Sequence, residues 1–120
     1  VLKSMSMEVP SGARVAIVGT SGSGKSTLSR LLFRFYDATS GRVLVDDQDV
    51  RDVTLSSLRR AIGVIPQDCV LFNDTIYYNI AYGRTGVSRE EVEEAARKAH
   101  LHERILSLPK GYDTVVGERG

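Results

Sequence analysis

The chain has 120 residues, 42% hydrophobic and 26% charged, enough for one modest domain and too few to require two. Sixteen basic and fifteen acidic side chains leave a net charge of +1, so bulk electrostatics favours neither an anionic membrane nor nucleic acid, and no nucleic-acid partner is expected. A single cysteine, Cys69, leaves no partner for an internal disulfide, and the longest apolar runs, such as Val15–Val18, are far too short to cross a bilayer.

Met5, Met7 and Val9 alternate with Ser6 and Glu8, the period of a half-buried strand, and Pro10-Ser11-Gly12 closes it as a turn. Val15–Val18 is short and continuously apolar, as in a parallel strand covered on both faces. A glycine-rich loop follows, and then Leu28, Leu31, Leu32 and Phe35 recur at helical spacing, predicting a helix to about residue 35. Val43–Val45 reads as another strand, Asp46-Asp47 as a hairpin turn before a short strand near Val50, and Thr54–Arg60 as one or two helical turns. Ile62–Ile65 is β-like and stops at Pro66.

Beyond Gln67 the pattern turns helical. Asp74 or Thr75 can cap a helix that runs to about Tyr82 and ends at Gly83. Ser88-Arg89-Glu90-Glu91 fits a capping box, with Val92, Ala95, Ala96 and Ala99 as the apolar stripe of the helix it starts. Glu93 with Arg97, and Glu94 with Lys98, are favourable pairs four residues apart on its solvated face. A last short helix is predicted from His102 to Leu108, before Pro109 and Gly111.

Gly19-Thr20-Ser21-Gly22-Ser23-Gly24-Lys25-Ser26 matches the phosphate-binding pattern G-x-x-x-x-G-K-[ST] in full. A phosphate chain brings negative charge and many acceptor oxygens close to the backbone. Glycines allow that approach and turn successive N–H groups inward, and the following helix start adds unpaired donors and partial positive charge. Lys25 then reaches the β- and γ-phosphates, the Ser26 hydroxyl ligates Mg²⁺, and Thr27 is placed for the α-phosphate. The bland alternative is a glycine-serine turn that fits by chance. The apolar strand before the loop and the apolar-periodic helix after it argue against that.

The P-loop alone does not separate kinases, GTPases, helicases and transporters. Val64-Ile65-Pro66-Gln67-Asp68, with Leu71–Ile76 and Asn79-Ile80, resembles the Q-loop region of ATP-binding cassette (ABC) exporters. Gly111–Gly120 resembles the X-loop that precedes the family's signature motif, and the likeness runs in order through essentially the whole chain. Leu32–Asp37 and Phe72–Asn79 are most similar to the half-transporters of mitochondria and related bacteria. Those export glutathione-linked or sulfur compounds and support iron–sulfur assembly and heavy-metal tolerance.

This resemblance implies an α/β P-loop NTPase, a RecA-like core with an antiparallel β edge, plus the start of the ABC helical subdomain, incomplete. Residues 1–66 would form the β-subdomain and part of the P-loop core, and residues 67–120 the Q-loop and helical subdomain as far as the X-loop. It implies ATP and Mg²⁺ as cofactors, held by Gly19, Thr20, Ser21, Gly22, Ser23, Gly24, Lys25, Ser26 and Thr27. Gln67 would act as the catalytic residue that senses Mg²⁺ and the attacking water. The partners implied are a second ABC subunit, sandwiching ATP, and coupling helices of a transmembrane domain near Phe72–Ile80. Glu118 and Arg119 would contact the partner's coupling region, with a solvated charge pair as the alternative. The location implied is a mitochondrial or bacterial inner membrane, with the cassette on the matrix or cytoplasmic side.

Other residues read as structural. His100 and His102 lack the neighbours of a metal site, Cys69 has no flanking base, and Tyr77 and Tyr78 read as packing residues. Asp47 stands where relatives usually carry glycine, so strain is expected in that turn. The signature motif, the Asp-Glu strand and the switch histidine of the family are not among these residues, and the chain begins without Met. The expectation is therefore a truncated cassette, inactive by itself and marginal in isolation for want of the strand beside the P-loop. A non-hydrolytic nucleotide- or partner-binding module is the alternative, and another P-loop enzyme such as a small-molecule kinase a more distant one.

Overall fold

A computed structural model describes residues 2–117, and its contacts divide the chain into two compact units at the junction of Val64 and Ile65. In the first unit, helix α1 spans Lys25–Leu32 and starts from Gly24, whose backbone is left-handed (φ 99°). The helix stops short of the predicted Phe35. Arg34 turns left-handed (φ 51°), and the Phe35 N–H donates to the Arg30 carbonyl at 2.9 Å, closing the last turn. Glycine is the usual residue for that conformation. Here the Arg34 guanidinium holds it by bonding Asp37 at 2.8 Å and the Val50 carbonyl at 3.2 Å.

Strands β1 (Leu44–Val45) and β2 (Gln48–Asp49) pair antiparallel, with Leu44 opposite Asp49 and Val45 opposite Gln48. The two-residue turn between them is left-handed at both Asp46 (φ 49°) and Asp47 (φ 63°), the hairpin conformation that favours glycine. Helix α2, Leu55–Arg60, is capped by the Thr54 hydroxyl, which accepts from the Ser57 N–H at 3.2 Å. Among the described residues, Val50 and Leu58, each 4% exposed, are the buried apolar residues of this unit.

In the second unit, β3 (Asp74–Thr75) leads directly into α3 (Ile76–Ala81), with Thr75 capping through a 3.0 Å bond from the Tyr78 N–H. Helix α4, Arg89–Lys98, carries the predicted capping box. Ser88 accepts from the Glu91 N–H at 3.2 Å, and the Glu91 carboxylate accepts from the Ser88 N–H at 2.9 Å. That amide bond, helped by Arg84, holds the Glu91 carboxyl below its ordinary range. The predicted pairs form, Arg97 to Glu93 at 3.2 Å and Lys98 to Glu94 at 3.8 Å. Helix α5 (His102–Leu106), one turn of 3₁₀ helix (Gly111–Asp113) and strand β4 (Val115–Val116) follow, and β4 pairs back onto β3. Val92, Ala96, Ile105 and Tyr112 make the core, with Ile76, Tyr77, Ile80, Ala81 and Val87 packed against it.

Three predicted strands do not form. Met5–Val9, Val15–Val18 and Ile62–Ile65 have no regular secondary structure and no ladder among the described residues, and Val18 and Ile65 are 90% and 100% exposed. An apolar strand of the parallel kind is stable only between neighbours that take up its N–H and C=O groups, and the described residues supply none beside these segments. The exposed area makes the same point. The chain presents 10061 Å², against about 7,700 Å² for two separate compact bodies of half its mass.

Candidate functional site

The glycine-rich loop is built from the start of α1. Gly24 is buried and left-handed, and Gly22 is left-handed at φ 79°, so both need a residue without Cβ. Among the described residues, the N–H groups of Ser21, Gly22, Gly24, Lys25 and Ser26 have no hydrogen-bond acceptor, whereas Ser23 N–H closes a turn onto the Thr20 carbonyl at 3.2 Å. No side chain caps α1 and no acidic residue lies in its first turn. An eight-residue helix therefore ends in free donors and uncancelled partial positive charge.

The Lys25 side chain folds back over this loop. Its ammonium donates to the carbonyls of Gly19 and Thr20, both at 2.6 Å, and approaches the Ser23 hydroxyl at 3.4 Å. The positive charge is thus fixed at the loop by the loop's own backbone carbonyls. The hydroxyls of Ser26 and Thr27 have no partner among the described residues; Ser26 is exposed and Thr27 half-buried. Amides, ammonium and hydroxyls in this order suit a polyanion, and the donor set fits a nucleotide phosphate chain.

Gln67 lies in an exposed bend of the second unit, and its side chain has no partner among the described residues. The segment Phe72–Ile80 is divided in role. Ile76, Tyr77 and Ile80 turn to the core, while Phe72 and Tyr78 stay 45% and 41% exposed. Tyr78 is therefore no packing residue of the core, in contrast to Tyr77. With Tyr82 it forms an outward aromatic cluster, the Phe72 and Tyr82 rings lying 4.4 Å apart and the Phe72 and Tyr78 rings 5.9 Å apart. The Asn79 amide fixes the cluster's base, accepting from the Phe72 N–H at 2.8 Å and donating to the Phe72 and Thr75 carbonyls at 3.1 and 3.0 Å. Tyr82 escaped the sequence reading, although its spacing four residues after Tyr78 on one helix face was available there.

The segment resembling the X-loop is described as far as Gly117; Glu118 and Arg119, read as partner-facing, lie outside the described residues. Val115 and Val116 pair with Thr75 and Asp74, and the Ile76 N–H donates to the Thr114 carbonyl at 2.9 Å. Tyr112, 3% exposed, anchors this return, with its hydroxyl 2.6 Å from His102 Nδ1. That bond gives His102 a structural partner. Burial, and then the nearby Glu93, push the Tyr112 hydroxyl above its ordinary pKa.

The family described as ABC transporter matches residues 2–117, nearly the whole chain. The chain belongs to the ABC transporter family. It is 62% identical over all 120 residues to the iron–sulfur clusters transporter ATM1 of Chaetomium globosum mitochondria, covering 20% of that protein. It matches the ATM1-type heavy metal exporter of Novosphingobium aromaticivorans equally, at 62% over 20% of its length. To the human mitochondrial iron–sulfur clusters transporter ABCB7 it is 59% identical over 16%. A solved bacterial Atm1-family ABC exporter with ATP bound superimposes on 83% of the chain, covering 18% of its own, with TM-score 0.74 and 63% identity. The chain therefore spans about a fifth of the length of the curated relatives it matches. The ABC nucleotide-binding fold expected from the sequence, a P-loop NTPase present in part, is the fold it takes.

Proposed function

We propose that this chain is the ATP-binding part of an ABC exporter of the Atm1 type, whose whole protein couples ATP hydrolysis to export across an inner membrane, mitochondrial or bacterial. The observation that carries the reading is the run of acceptor-less amides at the start of α1, with Lys25 fixed at the same loop. In this assignment the amides of Ser21, Gly22, Gly24, Lys25 and Ser26 receive the phosphates between Gly19 and Thr27, with Ser23 lining the loop. Thr20 holds Lys25 through its carbonyl. The Lys25 ammonium neutralises the terminal phosphates, Thr27 serves the α-phosphate, and the Ser26 hydroxyl with Gln67 takes Mg²⁺. Mg²⁺, when bound, supplies charge neutralisation at the transferring phosphoryl group.

Gln67 orients water for hydrolysis, since its amide can accept from water or present its oxygen to a metal. A second cassette completes the site, and coupling helices of the membrane domain dock near Phe72–Ile80, where the Phe72, Tyr78 and Tyr82 rings are exposed. We further assign residues 1–66 to the β-subdomain and P-loop core and residues 67–120 to the Q-loop and helical subdomain. The cassette faces the matrix or cytoplasm, where ATP is supplied. The relatives' names, an iron–sulfur clusters transporter and a heavy metal exporter, support sulfur- or metal-linked cargo.

The test uses the full-length protein in lipid vesicles, following ATP binding and turnover side by side. Gln67→Ala is expected to lower turnover by about ten- to a hundredfold while ATP affinity stays within about threefold, the pattern of lost water positioning. Unchanged turnover, or a collapse of affinity instead, would remove Gln67 from this role. The 120 residues alone are expected to hydrolyse ATP negligibly, because the opposing cassette that completes the site is not theirs to supply.

A further inference from the structure

We propose that Ser23 is a positioning residue, holding the Lys25 ammonium at the loop, and that Ser23 rather than backbone conformation dictates glycine at position 19. The inference rests on the nucleotide reading above and assigns a role to a side chain to which that reading gives none. An ammonium has three N–H donors and no acceptor. Two of Lys25's are committed at 2.6 Å to the Gly19 and Thr20 carbonyls. Among the described residues the third finds only the Ser23 hydroxyl, at 3.4 Å, longer than a well-formed N–H···O bond. Ser23 thus gives the third donor its acceptor and keeps the ammonium oriented at the loop.

The same hydroxyl decides position 19. Gly22 and Gly24 are left-handed and need glycine for that reason, whereas Gly19 has no such conformation. A Cβ at position 19 would instead meet Ser23 Oγ at 2.5 Å and Ser23 Cβ at 3.3 Å. The clash is with the end of a short side chain, so Gly19→Ala is accommodated by swinging the hydroxyl away, and with it the hold on Lys25. Substitution at either position therefore removes one interaction.

The experiment is a double-mutant cycle in the full-length protein, reading ATP affinity and Lys25 reactivity. Ser23→Ala and Gly19→Ala are each expected to weaken ATP binding by about three- to fivefold, the scale of one weak bond to a charged group, and the double variant no further. Losses that multiply, or no loss in Ser23→Ala, overturn the proposal. The second reading is made without nucleotide and so is independent of ATP binding. Acetylation of Lys25, scored by peptide mass spectrometry against Lys110 in the same molecule, is expected to rise about threefold in both single variants, as the amine loses its third acceptor. An unchanged ratio refutes the contact. A wild-type protein that fails to bind ATP while this ratio rises would sink the nucleotide reading and leave the Ser23 contact standing.

Discussion

Removing the Tyr112 hydroxyl and removing its ring should damage the second unit to very different extents. The ring is 3% exposed and packs with Val92, Ala96 and Ile105, while its hydroxyl lies 2.6 Å from His102 Nδ1. Tyr112→Phe loses that bond and strands a half-buried imidazole nitrogen, a cost of about 1–2 kcal/mol. Tyr112→Ala empties an aromatic site in a core of four buried residues and costs about 3–5 kcal/mol. A unit of this size is stable by only about 3–8 kcal/mol, so the alanine variant should be largely unfolded there. Hydrogen exchange of the Thr114–Val116 segment in the full-length protein is the assay, since the ladder to Asp74 and Thr75 hangs from Tyr112. Protection should fall by about five- to thirtyfold in Tyr112→Phe and vanish in Tyr112→Ala.

The sign of the pH dependence is also set. Burial raises the Tyr112 pKa above its unfolded value, so the folded state prefers the neutral hydroxyl. Its contribution is intact below about pH 10 and is lost as pH rises through the higher folded value, a component that Tyr112→Phe should lack. Equal losses in the Phe and Ala variants, or alkaline sensitivity unchanged by Phe, would refute the packing argument.

Asp47→Gly should stabilise the first unit by about 0.5–1 kcal/mol, because the residue sits left-handed at φ 63°; a denaturant midpoint that does not rise at constant slope counts against strain there. Ser88→Ala removes the acceptor for the Glu91 N–H and should cost about 1 kcal/mol, read as loss of exchange protection in the first turn of α4 and not in α5. Asp49, held down to about 2 by the Arg51 guanidinium and backbone amide, contributes stability that is complete above about pH 4 and lost as pH falls toward 2. Arg51→Ala should return its carboxyl titration toward the ordinary range, and an unmoved NMR titration would exclude the pair.

Local signals carried furthest in the sequence. The Ser88–Glu91 box, the Asp46-Asp47 turn, the helical turns after Thr54 and the cap at Thr75, one of the two residues offered for it, each depend on residues close in sequence, and each formed. Parallel strands are a different case. Val15–Val18 has the composition of a buried strand, but a ladder needs partners distant in sequence, so the run alone predicts more order than this chain contains. The end of α1 was misjudged because apolar spacing continues to Phe35 while Arg34, tied to Asp37, reverses the backbone. At the site, the motif located the loop. The hold of Gly19 and Thr20 carbonyls on Lys25, and the contact of Ser23 with Gly19, depend on loop conformation and could not be read from residue types.

The central claim is that Gly19–Ser26 receives the phosphates of ATP with Lys25 as its fixed charge. The most direct measurement is calorimetric titration of the full-length protein with ATP, wild type against Lys25→Ala. Loss of a charged hydrogen-bond partner predicts affinity lower by about 1.5–3 kcal/mol, roughly ten- to over a hundredfold. Equal affinity in the two proteins would contradict the assignment of this loop.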